Sequence, residues 1–169
     1  MAVTVREARP GEEGRIEPLY EWLFGEPGYL PPAWDPRRAR AALAEAIADP
    51  RSTVLVAEDG ATLIGLCTAY LELNSVRYGQ RCWIEDLAVD PGRRSQGVGG
   101  SLLDAAAEWA RERDATHLEL DTGLARTDAQ RFYERREPAS VGYSYSWRFV
   151  SRCPGADTKI PRSGGTPDE

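Results

Sequence analysis

A glycine-rich segment preceded by two arginines carries the first chemical signal in this 169-residue sequence. It runs DPGRRSQGVGG over residues 90–100 and leads directly into the amphipathic stretch 101–113. Glycines at the start of a helix leave backbone N–H groups uncovered, and the helix dipole attracts anions to them. Arg93 and Arg94 add positive charge. The segment predicts a phosphate-binding bend, with the N–H groups of residues 96–100 as donors.

Two widespread phosphate loops can be tested against these letters. A P-loop requires a lysine directly after its last glycine, whereas Ser101 follows Gly100 here. A dinucleotide-binding loop requires glycine at its sixth position, and counting from Gly97 that position is Leu102. The strand before a dinucleotide-binding loop must also be the first strand of a βαβ unit. Here the strand predicted over residues 81–90 is instead the last of three antiparallel strands. Neither loop accounts for the segment.

The composition limits the class of protein. At 41% hydrophobic residues the chain can bury a core, and a net charge of −6 disfavours non-specific nucleic-acid binding. Its three cysteines have neither CxxC nor zinc spacing, so we expect free thiols in a reducing compartment and no metal. No apolar run is long enough to cross a membrane, and the start of the chain lacks a signal-peptide core. These features predict a soluble, cytoplasmic protein without membrane or nucleic-acid partners.

The period of the apolar residues predicts the elements that position the glycine-rich segment. Strands are predicted over residues 3–8, 52–58, 61–73, 81–90, 116–122 and 141–150. Helices are predicted over residues 12–24, 37–48, 98–113 and 128–136. This order predicts an α/β fold of the mixed α+β kind, in which helices flank a mostly antiparallel sheet.

The last predicted strand alternates aromatic and polar residues, which places one apolar face in the core. Its edge would aggregate if it were unpaired, so the pattern favours a homodimer through that edge. We expect residues 1–152 to form a single domain. Residues 153–169 are rich in glycine, proline and polar side chains, which predicts a disordered tail.

The glycine-rich segment also matches a third pattern. Residues 94–99, RSQGVG, fit Arg/Gln-x-x-Gly-x-Gly/Ala and resemble the acetyl-CoA pyrophosphate loop of the GNAT N-acetyltransferases. Residues 129–136, AQRFYERR, resemble the A-x-x-FY segment of the same family, and the order of strand, loop, helix and strand between them agrees. The resemblance covers residues 3–150 and is strongest over 84–136. It implies the GNAT fold, acetyl-CoA as co-substrate, and direct acetyl transfer to an amine in a ternary complex.

The resemblance also assigns residues to the co-substrate. The pantetheine arm would pair with the backbone of Leu87, Ala88 and Val89, and the N–H group near Leu87 would polarise the thioester carbonyl. The pyrophosphate would lie against Arg94, Ser95, Gln96, Gly97, Val98, Gly99 and Gly100.

Two side chains are the candidates for proton transfer. By resemblance, Tyr133 would protonate the departing thiolate, because an ordinary tyrosine pKa near 10 keeps the hydroxyl protonated at neutral pH. Glu85 would act as the base on the amine, often through water, with Asp86 or bulk water as the alternatives. Since successive strand residues point to opposite faces, we expect only one of Glu85 and Asp86 to face the site.

Three positions depart from the family pattern. Glu137 and Pro138 stand where members have glycine and an apolar residue, so we expect the preceding helix to end differently. Arg126 replaces an asparagine found in many members, and is expected to face the adenosine phosphates or solvent.

A small-molecule amine is the preferred acceptor and a protein amine is the second. The altered helix end leaves open a non-catalytic domain that binds a CoA ester as a sensor or partner module.

Overall fold

The computed structural model of the chain describes residues 3–147. The strands are β1 (Thr4–Glu7), β2 (Ser52–Asp59), β3 (Thr62–Leu71), β4 (Arg81–Val89) and β5 (His117–Glu119). The helices are α1 (Glu13–Ile16), α2 (Glu21–Phe24), α3 (Pro36–Ala48), α4 (Val98–Arg111) and α5 (Thr127–Glu134). Short 3-10 segments cover Glu17–Tyr20 and Pro91–Arg93.

The five strands form one mixed sheet in the order in which they occur along the chain. β1 to β4 pair antiparallel, and β4 and β5 pair parallel. α4 packs on one face, where it buries Leu102 and Trp109, and the α1–α3 segment packs on the other through Ile16, Leu19 and Leu43. The predicted mostly antiparallel sheet with helices on both faces is confirmed.

The first predicted helix, over residues 12–24, is broken into three short pieces. α1 ends at Ile16, a 3-10 segment follows, and α2 begins at Glu21. Pro18 lies near the start of the 3-10 segment. A proline has no N–H group to donate and its ring crowds the preceding turn, so a continuous α-helix cannot pass through it.

The prediction of a last strand over residues 141–150 is wrong for the part that the structure describes. Residues 141–147 form no strand, and residues 148–150 lie outside the described range. Val141, Tyr143, Tyr145 and Trp147 are 75% to 84% exposed rather than buried. Alternation assigns residues to the two faces of a strand, but a strand also needs a neighbour for its backbone hydrogen bonds, which alternation does not supply.

The end of α5 differs from the expectation at Glu137. The helix is followed by hydrogen bonds from the Arg136 N–H to the Tyr133 carbonyl and from the Glu137 N–H to the Glu134 carbonyl. Glu137 then takes a φ of +51°, the left-handed conformation that a glycine adopts without strain. The turn expected of a glycine is therefore made by a glutamate, at a cost of roughly 1–2 kcal/mol.

The chain divides into two compact units, Met1–Pro138 and Ala139–Glu169. All the helices and strands named above belong to the first unit. The predicted disordered tail, residues 153–169, lies outside the described residues. Among residues 3–147, no helix combines the length and the hydropathy that a membrane span requires.

Candidate active site

An irregularity in β4 places the two candidate carboxylates. Ile84 lies opposite Ala69 on β3, and Asp86 lies opposite Thr68, so Glu85 is an extra residue without a direct partner. This is a β-bulge, which interrupts the alternation of side chains and frequently occurs beside active sites. The bulge has a direct consequence for the faces on which the carboxylates lie.

Glu85 and Asp86 lie on the same face of the sheet. The Tyr70 hydroxyl donates to Glu85 Oε2 at 3.4 Å, and the Thr68 hydroxyl donates to Asp86 Oδ2 at 3.0 Å. Thr68 and Tyr70 are two residues apart on β3 and therefore share a face. The expectation that only one carboxylate could face the site is wrong, because it assumed an uninterrupted strand.

The two carboxylates have different surroundings. Glu85 is exposed and accepts a further hydrogen bond from Trp83 Nε1 at 3.0 Å. Asp86 is half-buried and accepts from the Tyr20 hydroxyl at 3.0 Å in addition to Thr68. Burial raises the pKa of Asp86, while the two hydrogen bonds partly oppose the shift. Burial and the neighbouring Asp86 raise the pKa of Tyr20 far above its usual value.

Aromatic rings from α2 and the following loop form a cluster with Tyr20, whose hydroxyl contacts Asp86. The ring of Trp34 packs 5.5 Å from that of Tyr20 and edge-on to Phe24 at 4.6 Å, measured between centroids. Trp34 thereby anchors the 25–35 loop to the segment that carries Tyr20. A carboxylate next to electron-rich ring faces is a favourable environment for an ammonium group.

The second half of β4 has an open edge. β5 pairs only with Arg81, Cys82 and Trp83. Residues 87–89 pair with β3 on their other side, and no strand among residues 3–147 continues the sheet beside them on the β5 side. Backbone groups along such an edge are available to an extended ligand, which would add to the sheet as a strand does.

The glycine-rich segment begins α4 directly after this edge. Gly97 is the N-cap residue, with a φ of +85° that only glycine adopts readily, and Ser95 also has a positive φ of 61°. The first helical hydrogen bond runs from the Ser101 N–H to the Gly97 carbonyl at 3.0 Å. The N–H groups of Val98, Gly99 and Gly100 precede it and have no partner within the helix.

The two arginines before the loop have different environments. Arg93 forms an ion pair with Asp59 at 2.6 Å, and so ties the loop to the β2–β3 hairpin. Arg94 is exposed and makes no ion pair or hydrogen bond with any other residue of the 3–147 range. Of the pair, Arg94 is the one whose charge remains available to an anion.

Tyr133 projects from a helix that packs against the start of α4. A Cβ added to Gly99 would lie 3.7 Å from Phe132 Cζ, and Phe132 stacks edge-on against Tyr133 at 5.1 Å. An Arg136–Asp104 ion pair also joins α5 to α4. Burial raises the pKa of Tyr133 to about 12, with a smaller contribution from Cys67, the register partner of Leu87. Tyr133 is thus half-buried close to the open edge of β4, in its protonated form.

Several residues of this region were missed by sequence reasoning. They are Tyr20, Thr68, Tyr70, Trp83 and Gly28. The sequence pattern placed Tyr20 among the apolar residues of a helix and Thr68 within an apolar strand. It therefore did not predict that their hydroxyl groups donate to Asp86. Arg126 was expected to face phosphates or solvent, but its Nη2 donates to the Leu23 carbonyl at 2.7 Å. Contacts between residues so distant in sequence leave no local signal.

Comparison with known proteins agrees with this geometry. The model of the acetyltransferase (GNAT) family matches residues 16–137. An uncharacterised N-acetyltransferase of Bacillus subtilis, YhfO, is 30% identical over 151 residues, which cover 89% of this chain and 96% of YhfO. The aminoglycoside N(6')-acetyltransferase of Serratia marcescens is 27% identical, with 70% of this chain and 81% of that protein covered.

A solved structure has the same fold. AAC(6')-Iy, in complex with the bisubstrate analogue CoA-S-monomethyl-acetylneamine, superposes with a TM-score of 0.76 at 16% identity, covering 89% of this chain and 99% of that one. Since the family model matches most of its length, the chain belongs to the acetyltransferase (GNAT) family. The prediction of an N-acetyltransferase is confirmed. The roles of individual residues stay predictions.

The buried carboxyl of Asp86 generates a prediction about stability. Asp86→Asn keeps an oxygen that can accept from Tyr20 and Thr68 but removes a charge that burial disfavours. The pKa of Asp86 is higher in the folded state than in the unfolded state, where it is about 3.9. The free energy of unfolding of the wild type therefore decreases as the pH rises from the unfolded-state pKa through the folded-state pKa. We expect Asp86→Asn to raise the melting temperature at neutral pH and to lose this advantage below pH of about 4.

Thermal unfolding between about pH 3 and pH 8 measures the effect. Glu108→Gln removes an equally negative but largely exposed charge and serves as the control. A lower melting temperature for Asp86→Asn than for wild type at neutral pH would show that the ionised carboxylate stabilises the fold.

Proposed function

We propose that the protein transfers the acetyl group of acetyl-CoA to the primary amine of a small molecule, by direct attack in a ternary complex. One observation carries the proposal. Among residues 3–147, no strand lies beside residues 87–89 on the β5 side, and the chain continues from them to the helix start at Gly97. An extended ligand that forms backbone hydrogen bonds, followed by an anion, fits this arrangement. Pantetheine and pyrophosphate have this arrangement in coenzyme A.

The residues fit the two parts of the co-substrate. We assign the pantetheine amides to the backbone of Leu87, Ala88 and Val89. The pyrophosphate is assigned to the exposed charge of Arg94 and to the loop residues Ser95, Gln96, Gly97, Val98, Gly99 and Gly100. The open N–H groups at the start of α4 and the helix dipole both favour an anion there.

When bound, acetyl-CoA supplies an activated thioester, and this chain's residues move the protons. We assign to Glu85 the removal of a proton from the attacking amine, directly or through water, and retain Asp86 as the alternative base. The N–H near Leu87 is assigned to the carbonyl oxygen as negative charge develops there. Tyr133 donates a proton to the departing thiolate; its pKa of about 12 keeps the hydroxyl protonated, and so able to donate, at neutral pH.

The cysteines favour direct transfer over an acyl-enzyme. Cys67 and Cys82 are fully buried. Burial raises the pKa of Cys82 to about 11 and that of Cys67 further, so neither thiol is a nucleophile at neutral pH. Cys153 lies outside the described residues.

The acceptor is assigned to the face that carries Glu85, Asp86 and the ring of Tyr20. Two carboxylates and aromatic rings suit a cationic amine. The relatives include proteins named as N-acetyltransferases of aminoglycosides and of aminoalkylphosphonate, which support a small-molecule acceptor. Because Glu137 supplies the left-handed turn expected of a glycine, the altered helix end no longer argues for a non-catalytic sensor.

The co-substrate assignment predicts an effect of Gly97→Glu. A carboxylate beside the phosphates would cost about 4 kcal/mol at 4 Å and an effective dielectric of 20, so we expect the Kd of acetyl-CoA to rise at least about a hundredfold. Calorimetric titration with acetyl-CoA measures it. Gly11→Glu is the matched control, because Gly11 also has a positive φ, of +90°, and open space around its Cβ position. Equal binding by both variants would contradict the assignment, and no binding by the folded wild type would reject the co-substrate.

The role of Tyr133 predicts a specific kinetic defect. Tyr133→Phe keeps the packing against Phe132 and removes only the hydroxyl. We expect kcat to fall at least about a hundredfold while the Kd of acetyl-CoA stays unchanged. Steady-state release of free CoA measures kcat. A wild type that binds acetyl-CoA but turns over no amine would instead favour the sensor.

The acceptor assignment predicts the effect of Glu85→Gln. The amide retains an oxygen for Trp83 and Tyr70 but can neither attract nor deprotonate an ammonium group. We expect kcat/KM for small amines to fall about a hundredfold, while Glu108→Gln leaves it unchanged. The acceptor preference is measured as kcat/KM over a panel of diamines, amino sugars, aminophosphonates and peptides with a free N-terminal amine. Faster acetylation of the peptides than of every small amine would overturn the choice of acceptor.

A further inference from the structure

Arg126 connects the helix that carries Tyr133 to the loop that follows α2. It is the N-cap residue of α5, seven residues before Tyr133. Its Nη2 donates to the Leu23 carbonyl at 2.7 Å, in the last turn of α2. A cation at that position satisfies a carbonyl left free by the end of the helix.

The 25–35 loop is shaped around this guanidinium. The Gly28 N–H donates to the Gly25 carbonyl at 2.8 Å, which turns the chain back towards α2. A Cβ added to Gly28 would lie 2.5 Å from Arg126 Nη2 and would also collide with the Leu23 carbonyl oxygen. Any larger residue would therefore displace the guanidinium or the loop.

The contact spans the two sides of the sheet. Leu23 packs with the apolar cluster under α1–α3, whereas Phe132 packs against the start of α4 on the opposite face. The pairing of β4 with β5 ends at Trp83, and α5 with its N-cap residue contacts α2 through Arg126 and the start of α4 through Phe132. Arg126 is the residue of α5 that holds the α2 side.

We propose that Arg126 is a positioning residue. It fixes the position of the 25–35 loop relative to Tyr133, and so aligns the bound amine with the hydroxyl that donates the proton. The proposal rests on the proposed function, because Trp34 of this loop packs on Tyr20, whose ring belongs to the face assigned to the acceptor. An arginine suits the task because its long, planar, always charged group keeps its direction while it donates to a carbonyl. Its positive charge also opposes the rise that burial causes in the pKa of Tyr133.

The first test replaces Arg126 and measures two quantities. Arg126→Gln should lower kcat/KM for the amine about tenfold to a hundredfold, through a higher KM for the amine and a lower kcat, with the Kd of acetyl-CoA unchanged. Arg126→Lys should restore part of this loss, because an ammonium can still donate to Leu23. Amide hydrogen exchange in residues 25–35 should become faster in Arg126→Gln.

The control lies on the same helix. Arg131→Gln removes an exposed arginine whose one ion pair among the described residues is with Asp128, one turn away, and should change neither the kinetics nor the exchange. If Arg126→Gln behaves like Arg131→Gln in both measurements, the proposal is wrong. If the wild type acetylates no amine, the proposed function fails. The positioning contact is then tested separately, and it is rejected if amide hydrogen exchange in residues 25–35 is the same in Arg126→Gln as in the wild type.

A second test perturbs the same contact from the loop. Gly28→Ala should reproduce the kinetic and exchange changes of Arg126→Gln, whereas Gly25→Ala should not, because a Cβ there is 4.0 Å from its nearest neighbour. The added Cβ would also collide with the Leu23 carbonyl oxygen and lie 2.9 Å from that of Gly25, so Gly28→Ala displaces the loop as well as the guanidinium. Wild-type kinetics and exchange in Gly28→Ala would overturn the proposal. Circular dichroism confirms that each variant is folded.

Discussion

The site depends on how far β5 follows β4. The parallel pairing stops after three residue pairs, so that within residues 3–147 the backbone of residues 87–89 has a partner strand on one side only. Backbone N–H and C=O groups need partners, so an edge that opens beside a helix start is suited to an extended polar ligand. The loop, α5 and the acceptor face are all arranged around that opening.

The bulge at Glu85 supplies the second constraint. Without it, the alternation of β4 would send one of the two neighbouring carboxylates into the core beneath α4. With it, Glu85 and Asp86 share a face but differ in burial, so one is solvated and the other is held by Tyr20 and Thr68. A similar local cost is accepted at Ser95 and Glu137, where non-glycine residues take positive φ values of 61° and 51°.

Much of the fold could be predicted from local pattern. The hairpin, the long helices α3 and α4, and the order of the elements follow from apolar periodicity and from turn residues, because each is stabilised by contacts close in sequence. The pattern failed in one place where no neighbouring strand pairs with the segment, and in another at a proline within the predicted helix. The stretch 141–147 alternates well yet forms no strand, and the helix predicted over residues 12–24 is divided at Pro18.

The sequence by itself determined the glycine-rich loop, its arginines, the Phe-Tyr helix, and through them the family. Those features are short, contiguous and chemically distinctive. Only the tertiary structure decided which of the two arginines stays free for an anion, that both carboxylates share one face, and that Arg126 reaches Leu23. These depend on register and on contacts across more than thirty residues of chain, which no local pattern of residue types encodes.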